Sequence, residues 1–574
     1  MYILGLSAYM HDTSACLLQD GRIVAAVEEE RFTRQRHAWR QMPHHASRYC
    51  LDAAGIELDE VDYVVTAWNA QPRGESVQAL TSQEALLRQA KELHRLFPPN
   101  IFPCKAFPTF ACVNHHLAHA SSAFRCSGMD EATILVIDGR GEHTATSVFW
   151  GKGNTIRLIR EFDIPDSLGF FYLAVTRFIG FGGWGEGKTM GYAPYGVPRY
   201  DFEYLQPTND GYRVIWERAL PRSDQESSRG DCTLDIMAAW MNRLEQQFGE
   251  PNLSRAMLDL NTAHLREPFH DTQIYRDIAA SAQKKLEEII LHLAQRAIAE
   301  TGCRNLVLAG GVALNCVTNG LLVTSNTVDQ IFIQPAAQDA GTSMGAALEL
   351  YAQLGYKSQQ QLHHTSFGPA YSNQTIQEML EQTGLPYTEC TDPASTAATL
   401  LAENRVVGWF QGALEWGPRA LGNRSIFANP AQEGVRDYLN NHVKHREHFR
   451  PYALALPLEK ADTLFQRWCP SPFMLLNFEV KREYQAKVQE GIHRDGTTRP
   501  QTVDREQNPL YWKMLHLFTQ FTGLPGVINT SLNDHGAPLV CTPYDALRTF
   551  YSTALENLLI GNFLLQKKHV KGRF

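Results

Sequence analysis

Apolar and polar positions alternate in short runs at the start of the chain, a pattern typical of a β-meander. The apolar runs cover Tyr2–Leu6, Ala15–Leu18 and Ile23–Val27, and Asp20-Gly21 before the last run is a strong hairpin signal. A similar order of strand, polar turn and strand starts again at Ile134–Ile137. We therefore predict two duplicated lobes, each built on a strand–turn–strand that can wrap a phosphate.

Helical and strand-like runs then alternate, which predicts the α/β fold class. Asp271–Glu300 has the pattern of a long amphipathic helix, while Asn305–Leu308 and Ile331–Gln334 have that of buried strands. Gly310-Gly311 joins the first of these strands to a helix. Ser343–Tyr351 predicts a helix of small residues that suits close packing.

The segment 355–373 is polar and rich in Gln, His and Ser, which predicts a linker. It divides the chain into domains at 1–354 and 374–574. The pattern beyond it predicts a second α/β unit with a helix at Asn373–Thr383, strands at Val406–Phe410 and Pro525–Asn529, and an apolar helix at Pro543–Leu558.

The composition narrows the class of protein. A chain of 574 residues, 44% hydrophobic and 20% charged, is typical of a globular protein with more than one domain. The net charge of −8 disfavours a nucleic-acid partner, because such proteins usually carry a basic excess. Eleven cysteines without a Cys-x-x-Cys pair argue against a zinc ribbon and fit reduced thiols. Since the start of the chain lacks a signal-peptide pattern and no apolar run approaches the roughly 20 residues of a membrane span, we expect a cytoplasmic protein without a membrane partner.

Two histidines four residues apart, His115 and His119, lie in a segment that reads as a helix. At this spacing both rings leave one helical face and can reach one metal ion or one phosphate. Asp138 and Asp339 each follow an apolar strand, and with the histidines they can complete a His₂Asp₂ set suited to iron, manganese or zinc. A histidine-rich surface turn and turn-capping aspartates are the simpler alternatives.

The segment Gly182–Thr189 matches the letters of a Walker A motif. A true P-loop follows a strand and opens a helix, whereas Gly169–Ile179 before it is helix-like and Gly191 and Pro194 should break any helix after it. We reject the P-loop and keep two interpretations: a glycine-rich loop that brings Lys188 near a phosphate, or a plain surface loop.

The C-terminal half of this acidic chain concentrates cations among Gly, Pro and aromatic residues. These cations are Arg419, Arg424, Lys444, Arg446, Arg450 and Arg499. Arginine forks form bidentate hydrogen bonds with phosphate or carboxylate, so the pattern favours an anionic small substrate or a triphosphate. The alternative is a solvated charged face.

Several motifs, in one order along essentially the whole chain, resemble the O-carbamoyltransferases of the NodU/CmcH family. They are His11–Ala15, Glu28–Thr33, His115–His119, Asp138-Gly139, Gly187-Lys188, Met190-Gly191, Gly310–Asn315, Gly417–Gly422 and Asn529–Ser531. The resemblance implies an actin-like ATPase (ASKHA) domain with duplicated lobes, related to the TsaD enzyme of tRNA modification, and a C-terminal YrdC-like α/β domain. It implies that the second domain makes carbamoyl adenylate from carbamoyl phosphate and ATP, and that the first transfers the carbamoyl group to an alcohol.

The resemblance also implies roles for individual residues. His11 and Asp12 would be catalytic, and the metal ligands would be His115, His119, Asp138 and Asp339. The expected nucleotide contacts are Lys188, Gly310, Gly311, Asn315, Arg419 and Arg424. The expected carbamoyl-phosphate and adenylate contacts are Lys444, Arg450, Arg499, Asn529 and Ser531. Iron is the expected metal, with manganese or zinc as alternatives and Mg²⁺ as a further candidate ion.

The acceptor is the open part of this prediction, because roughly Arg34–Asp130 contains no motif that carries over. We expect a small-molecule alcohol as partner and keep a homodimer as a candidate oligomeric state. Two other functions remain: a TsaD-type tRNA-modifying enzyme, against which the net charge of −8 speaks, and a non-catalytic ATP-sensing scaffold, which leaves the C-terminal cations unexplained.

Overall fold

The structure, a computed structural model, describes residues 1–68, 91–216, 233–252 and 271–567. The fold is mixed α/β, as predicted. The chain separates into two compact units. Unit 1 contains Met1–Thr33 and His37–Leu362, and unit 2 contains Arg34–Arg36 and His363–Phe574. No helix of the described residues is long and apolar enough to cross a membrane.

The predicted meander forms the first sheet of unit 1, in which the strands lie in the order β3-β2-β1-β4-β5. The first three strands pair antiparallel, and β4 and β5 then extend the sheet in parallel from β1. The strands are β1 (Tyr2–Ser7), β2 (Ser14–Gln19), β3 (Arg22–Glu28), β4 (Tyr63–Thr66) and β5 (Thr109–Cys112).

The second sheet of unit 1 repeats this arrangement in the order β12-β11-β6-β7-β8. Three strands again pair antiparallel and two follow in parallel, so the strand arrangement of the first sheet recurs. These strands, with the separate pair β9 and β10, are β6 (Glu131–Ile137), β7 (Thr144–Lys152), β8 (Thr155–Asp163), β9 (Leu205–Thr208), β10 (Gly211–Val214), β11 (Asn305–Ala309) and β12 (Gln330–Ile333).

Small residues let the helices of unit 1 approach its strands and each other closely. The helices are α1 (Glu30–Thr33), α2 (His44–Ala54), α3 (His115–Phe124), α4 (Leu168–Phe178), α5 (Glu186–Tyr192), α6 (Thr233–Phe248), α7 (Gln273–Thr301), α8 (Cys316–Thr324) and α9 (Ala340–Gln353). A Cβ added at Gly345 of α9 would lie 1.8 Å from the Ala118 carbonyl oxygen of α3. The predicted small-residue helix therefore packs directly against the helix that carries the histidine pair.

Unit 2 is built on a sheet with the order β13-β22-β21-β14-β15-β20-β16-β19. Hydrophobic clusters cover it through residues such as Ile376 and Phe550 in one and Leu401 and Phe518 in the other. Its strands, with the separate pair β17 and β18, are β13 (Thr388–Glu389), β14 (Val407–Phe410), β15 (Arg424–Ala428), β16 (Ala453–Pro457), β17 (Phe478–Glu479), β18 (Thr497–Thr498), β19 (Gln501–Val503), β20 (Val527–Ser531), β21 (Asn557–Ile560) and β22 (Phe563–Gln566). Its helices are α10 (Asn373–Thr383), α11 (Pro393–Ala402), α12 (Val435–Tyr438), α13 (Ala461–Leu464), α14 (Arg482–Gln485), α15 (Pro509–Thr522) and α16 (Pro543–Ser552).

One prediction about this part of the chain needs correction. The helix predicted over Pro543–Leu558 ends at Ser552, because the apolar residues after it form β21 and pair with β14 inside the sheet. The boundary between the two units, between Leu362 and His363, falls inside the predicted linker. Ser358 accepts a hydrogen bond from Arg125 within unit 1, and the Gly368 amide donates to the Leu414 carbonyl within unit 2.

Candidate functional site

The histidine pair lies in the first half of α3, and local capping explains why the helix begins there. Asn114 is the N-cap residue, and its side chain accepts a hydrogen bond from the Leu117 amide at 3.0 Å. The Glu142 carboxylate accepts hydrogen bonds from the His115 backbone amide and from the Asn114 side-chain amide. These contacts satisfy amides that the helix itself cannot pair, so the rings of His115 and His119 start from a fixed backbone.

The structure brings the two histidines and the two aspartates together. His115 Nε2 lies 3.4 Å from Asp138 Oδ2 and 3.5 Å from Asp339 Oδ1, and His119 Nε2 lies 3.8 and 3.7 Å from the same atoms. One ligand atom from each of the four residues lies within 4.8 Å of all the others, and all four residues are buried. One correction concerns Asp339, which does not end β12 but is the residue just before α9.

The electrostatics of this cluster fit a divalent cation. Burial alone would lower the pKa of His115, yet Asp339 and Asp138 raise it to about 10. Although burial opposes it, His11 and His115 hold the pKa of Asp339 well below its ordinary value. Two carboxylates whose pKa values are lowered are thus held together in a buried place, where a metal ion can offset their negative charge. Mixed imidazole and carboxylate donors suit several transition metals.

Neighbouring groups hold the ligands in orientation. The Gly311 amide donates to Asp138 Oδ1 at 2.8 Å, and His115 Nδ1 lies 3.3 Å from the Ala67 carbonyl oxygen. The Trp68 ring stacks on His115 at 4.3 Å. Gly310 has a φ of 89°, and a Cβ there would lie 2.4 Å from the Ile137 carbonyl oxygen, so the turn requires glycine. Gly310 and Gly311 therefore support the Asp138 strand end, in addition to the nucleotide role predicted for them.

His11 lies at the edge of the cluster. Its Nε2 is 3.8 Å from Asp339 Oδ2, and its Nδ1 is 3.1 Å from Asp12 Oδ2. The other Asp12 oxygen lies 2.8 Å from His37 Nδ1, so Asp12 bridges two imidazoles. Burial would lower the pKa of His11, but Asp339 and Asp12 raise it to about 9. Motif reasoning did not single out His37, because its neighbours in sequence form no recognisable pattern.

The glycine-rich segment that mimics a Walker A motif follows helix α4 rather than a strand, which supports the rejection of a P-loop. The prediction that no helix follows it is wrong, because the short helix α5 runs from Glu186 to Tyr192. Lys188 lies on α5 with its ammonium 5.9 Å from the centre of the Phe181 ring. Asn315 caps α8 and exchanges hydrogen bonds with Gln283, so its side chain is committed to structure.

In unit 2 the register of the strands gathers the predicted anion-binding residues at one edge of the sheet. Ser531 pairs with Ser425, Asn529 pairs with Ala453, and Ala455 pairs with Gln501 in parallel. The beginnings of β15, β16 and β19 and the end of β20 therefore share an edge. Arg424 begins β15, Asn529 and Ser531 lie at the end of β20, and Arg450 and Arg499 shortly precede β16 and β19. Lys444 lies further from β16 in sequence, and its ammonium reaches the end of β20 by a hydrogen bond to the Ser531 carbonyl oxygen.

Lys444 is a buried cation close to this edge. Its ammonium donates to the carbonyl oxygens of Ser531 and Asn533, both at 2.7 Å. Burial, followed by the charge of Arg446, lowers the pKa of Lys444 well below its ordinary value. The same two causes lower the pKa of Arg450 to about 9. These neighbouring positive charges disfavour each other, and an anion bound beside them would offset the repulsion.

The remaining predicted residues of unit 2 are Arg419, Arg424, Arg499 and Asn529. Burial lowers the pKa of the His493 imidazole to about 4, and the nearby charge of Arg499 contributes to this shift. Arg419 lies half-buried in the loop between β14 and β15. The Asn529 amide donates to Gln501 Oε1 at 2.8 Å. Arg424 corrects the prediction: its guanidinium is fully buried, donates to the carbonyls of Gln411 and Pro369, and lies 3.8 Å from the centre of the Phe410 ring. It supports the loop and is not accessible to a nucleotide.

The fold and these residues define a two-unit α/β protein with a buried histidine–aspartate cluster in one unit and a cationic sheet edge in the other. Residues 2–348 match the family described as carbamoyltransferase N-terminus, and residues 398–567 match carbamoyltransferase C-terminus. The chain belongs to the carbamoyltransferase family, which confirms the prediction of a carbamoyltransferase enzyme.

Three related proteins are similar in sequence to this chain over most of its length. An uncharacterized protein of Synechocystis sp. is 37% identical over 99% of this chain and 97% of its own length. Nodulation protein NolNO of Sinorhizobium fredii is 35% identical, covering 98% of this chain and 80% of the relative, and nodulation protein U of the same species is 27% identical over 92% of each. Among solved structures, HypF of T. kodakarensis is 12% identical over 62% of this chain and 48% of its own, with a TM-score of 0.30, too low to support an argument about the fold.

Proposed function

We propose that the protein is an ATP-dependent O-carbamoyltransferase that makes carbamoyl adenylate from carbamoyl phosphate and ATP, and then transfers the carbamoyl group to a hydroxyl of a small molecule. Membership of the carbamoyltransferase family supports the group that is transferred. The observation that carries the rest is the position of His11, an imidazole 3.8 Å from a buried His₂Asp₂ cluster.

Unit 1 is proposed to be an actin-like ATPase domain and the site of transfer. The repeated strand order of its two sheets supports the fold assignment. His115, His119, Asp138 and Asp339 would hold a transition metal, with iron expected and manganese, zinc or Mg²⁺ as alternatives. When bound, the metal would polarise the carbamoyl carbonyl.

His11 is proposed to accept the proton of the acceptor hydroxyl, because an alcohol is a poor nucleophile at neutral pH. Although burial opposes the shift, the charges of Asp339 and Asp12 raise the pKa of His11. A cation held by Asp339 would offset part of this charge and favour the neutral imidazole that a base requires. Asp12 accepts from His11 Nδ1 and would keep the other nitrogen, Nε2, directed at the cluster. The hydroxyl oxygen then forms the new bond to the carbamoyl carbon, and AMP leaves. Lys188, Gly310 and Gly311 remain the proposed nucleotide contacts of this unit.

Unit 2 is proposed to be a YrdC-like domain that makes the adenylate. In this reaction water would cleave carbamoyl phosphate to carbamate and phosphate, and a carbamate oxygen would then attack the α-phosphorus of ATP and displace pyrophosphate. The cationic edge supports this role, since Lys444, Arg450 and Arg499 would stabilise the negative charge that develops as phosphate and pyrophosphate leave. Asn529 and Ser531 would orient the substrate with hydrogen bonds, and Arg419 would contact the nucleotide.

An acceptor screen tests the proposal. The protein is loaded with metal and incubated with ATP, carbamoyl phosphate and a panel of sugars, aminoglycosides and polycyclic alcohols, among them tobramycin, whose carbamoyltransferase is a member of the family resembled here. Mass spectrometry should find a product heavier by one HNCO, formed together with pyrophosphate. Pyrophosphate release that does not depend on carbamoyl phosphate would contradict the proposal.

A further inference from the structure

We propose that Trp39 and Trp184, with His37, form the surface that binds the acceptor beside His11, and that this surface takes one face of a saturated ring that carries the reacting hydroxyl. The inference rests on the proposed function and adds a binding surface and a substrate class to it. It concerns unit 1 alone.

The two tryptophans surround the imidazole that is proposed to take the proton. Trp184 lies edge-on to His11 at 4.6 Å between ring centres and stacks on His37 at 4.2 Å with an interplanar angle of 18°. Trp39 is parallel to His11 within 8°, at 6.1 Å. The indoles lie 6.4 Å apart and nearly perpendicular. His11, His37 and both tryptophans are part-exposed, so the group offers an accessible aromatic corner around a reactive nitrogen.

The backbone holds this corner firmly. The Asp12 amide donates to the His37 carbonyl at 2.7 Å, and the Arg40 amide donates to the Met10 carbonyl at 2.8 Å. These bonds tie the segment that carries Trp39 to the segment that carries His11. Rigid aromatic side chains add contact area at low entropic cost, because only two side-chain torsions need to be fixed.

Backbone strain marks the same place. His37 and Trp184 have φ angles of 63° and 61°, in the left-handed region, and Asp12 and Arg40 share it at 51° and 56°. Non-glycine residues in this region are strained, so these conformations persist only where surrounding contacts enforce them. Strain of this kind concentrates at ligand-binding and catalytic sites, and here it involves Trp184 itself and residues adjacent to His11 and Trp39.

The chemistry of the corner selects the class of acceptor. Indole faces offer a large apolar surface, while neither tryptophan adds a charge to the corner. A saturated ring presents an apolar face of C–H groups with its hydroxyls at the rim, so it can lie on an indole and direct one hydroxyl at His11. A flexible open-chain polyol would lose more conformational entropy for the same contact. The surface therefore favours cyclic over acyclic alcohols.

Two alanine variants, two control variants and a matched pair of probes test the inference. Methyl glucoside and sorbitol are both polyols, one cyclic and one open, and saturation-transfer NMR on the metal-loaded protein reports their contact. Methyl glucoside should receive saturation on the hydrogens of one ring face, and the signal should fall about fivefold or more in Trp184→Ala and in Trp39→Ala. Trp184→Phe should retain most of it, and Trp468→Ala, a half-buried tryptophan of unit 2, should leave it unchanged.

Kinetics with an acceptor from the screen complete the test. Trp184→Ala should raise KM for the acceptor about tenfold, equivalent to about 1.4 kcal/mol, with KM for carbamoyl phosphate within twofold of the parent. Equal contact of sorbitol and methyl glucoside, or acceptor KM values unaffected in both alanine variants, would overturn the inference while carbamoylated product still forms. Failure of the proposed function would look different, because no product would form with the parent protein.

Discussion

The two units collect charge in opposite ways. In unit 1, two buried carboxylates are matched by imidazoles, and the pKa of His115 is raised to about 10 as a result. In unit 2, uncharged oxygens and the partly exposed Asp534 face Lys444, and burial and the nearby arginines lower its pKa well below its ordinary value. The first cluster is suited to a cation, which would displace protons when it binds. The second is suited to an anion, which would favour protonation of Lys444.

Removal of a carboxylate from the cluster should have the largest effect. Asp339→Asn takes one anionic ligand from the set and should reduce carbamoyl transfer about 1000-fold, since a metal contributes several kcal/mol to such a step. Elemental analysis should show less bound metal. Asp329→Asn, which alters an exposed aspartate paired with Arg304, is the matched control and should retain metal and activity. Full metal content in Asp339→Asn would contradict the contrast between the units, because Asp339 would then not be needed to hold the metal.

Removal of the buried ammonium should have a smaller effect and act on the other half-reaction. Lys444→Met should reduce carbamoyl-phosphate-dependent pyrophosphate release about 100-fold, in the range found for loss of one preorganised donor. Metal content should remain as in the parent, because Lys444 lies in unit 2. Lys513→Met, which removes a half-exposed lysine paired with Asp392, should match the parent. A parallel loss of metal would mean that the two sites are not separate.

The pH dependence of substrate binding sharpens the comparison further. The pKa of Lys444 is lowered in the free protein, and a bound phosphate group would raise it again. Between those two pKa values, binding of carbamoyl phosphate should therefore take up a proton, and affinity should fall as pH rises by up to about tenfold per pH unit. Calorimetry in buffers of different ionisation enthalpy measures the uptake directly. Proton release on binding would contradict the assigned role of Lys444.

The sequence predicts those features of the fold and site that depend on local spacing. The i,i+4 histidines of α3 and the strand before Asp138 follow from local spacing and apolar runs, and the repeated strand order follows from a recurring pattern of strand, polar turn and strand. Contacts set by tertiary structure are not predictable in this way. The bridge from Asp12 to His37 joins residues 25 positions apart through backbone in the left-handed region, which no local pattern signals.

Arg424 and the end of α16 are two places where a local sequence pattern led to a wrong prediction. An arginine between glycine and aromatic residues has the pattern of an anion ligand, yet the guanidinium of Arg424 donates to the backbone carbonyls of Gln411 and Pro369. The apolar run after Ser552 has a helical period but is claimed by a sheet that buries it. In both places burial within the fold decides, and sequence spacing does not reveal it.

The central claim is that one unit activates the carbamoyl group and the other transfers it, with His11 acting only in transfer. It is tested most directly by measuring both half-reactions in His11→Asn, which retains a hydrogen-bonding group near the Nδ1 position but removes the base. Pyrophosphate release from ATP and carbamoyl phosphate should persist, while carbamoylated product falls about 100-fold or more. Loss of both half-reactions together, or product formation at the parent rate, would contradict the account.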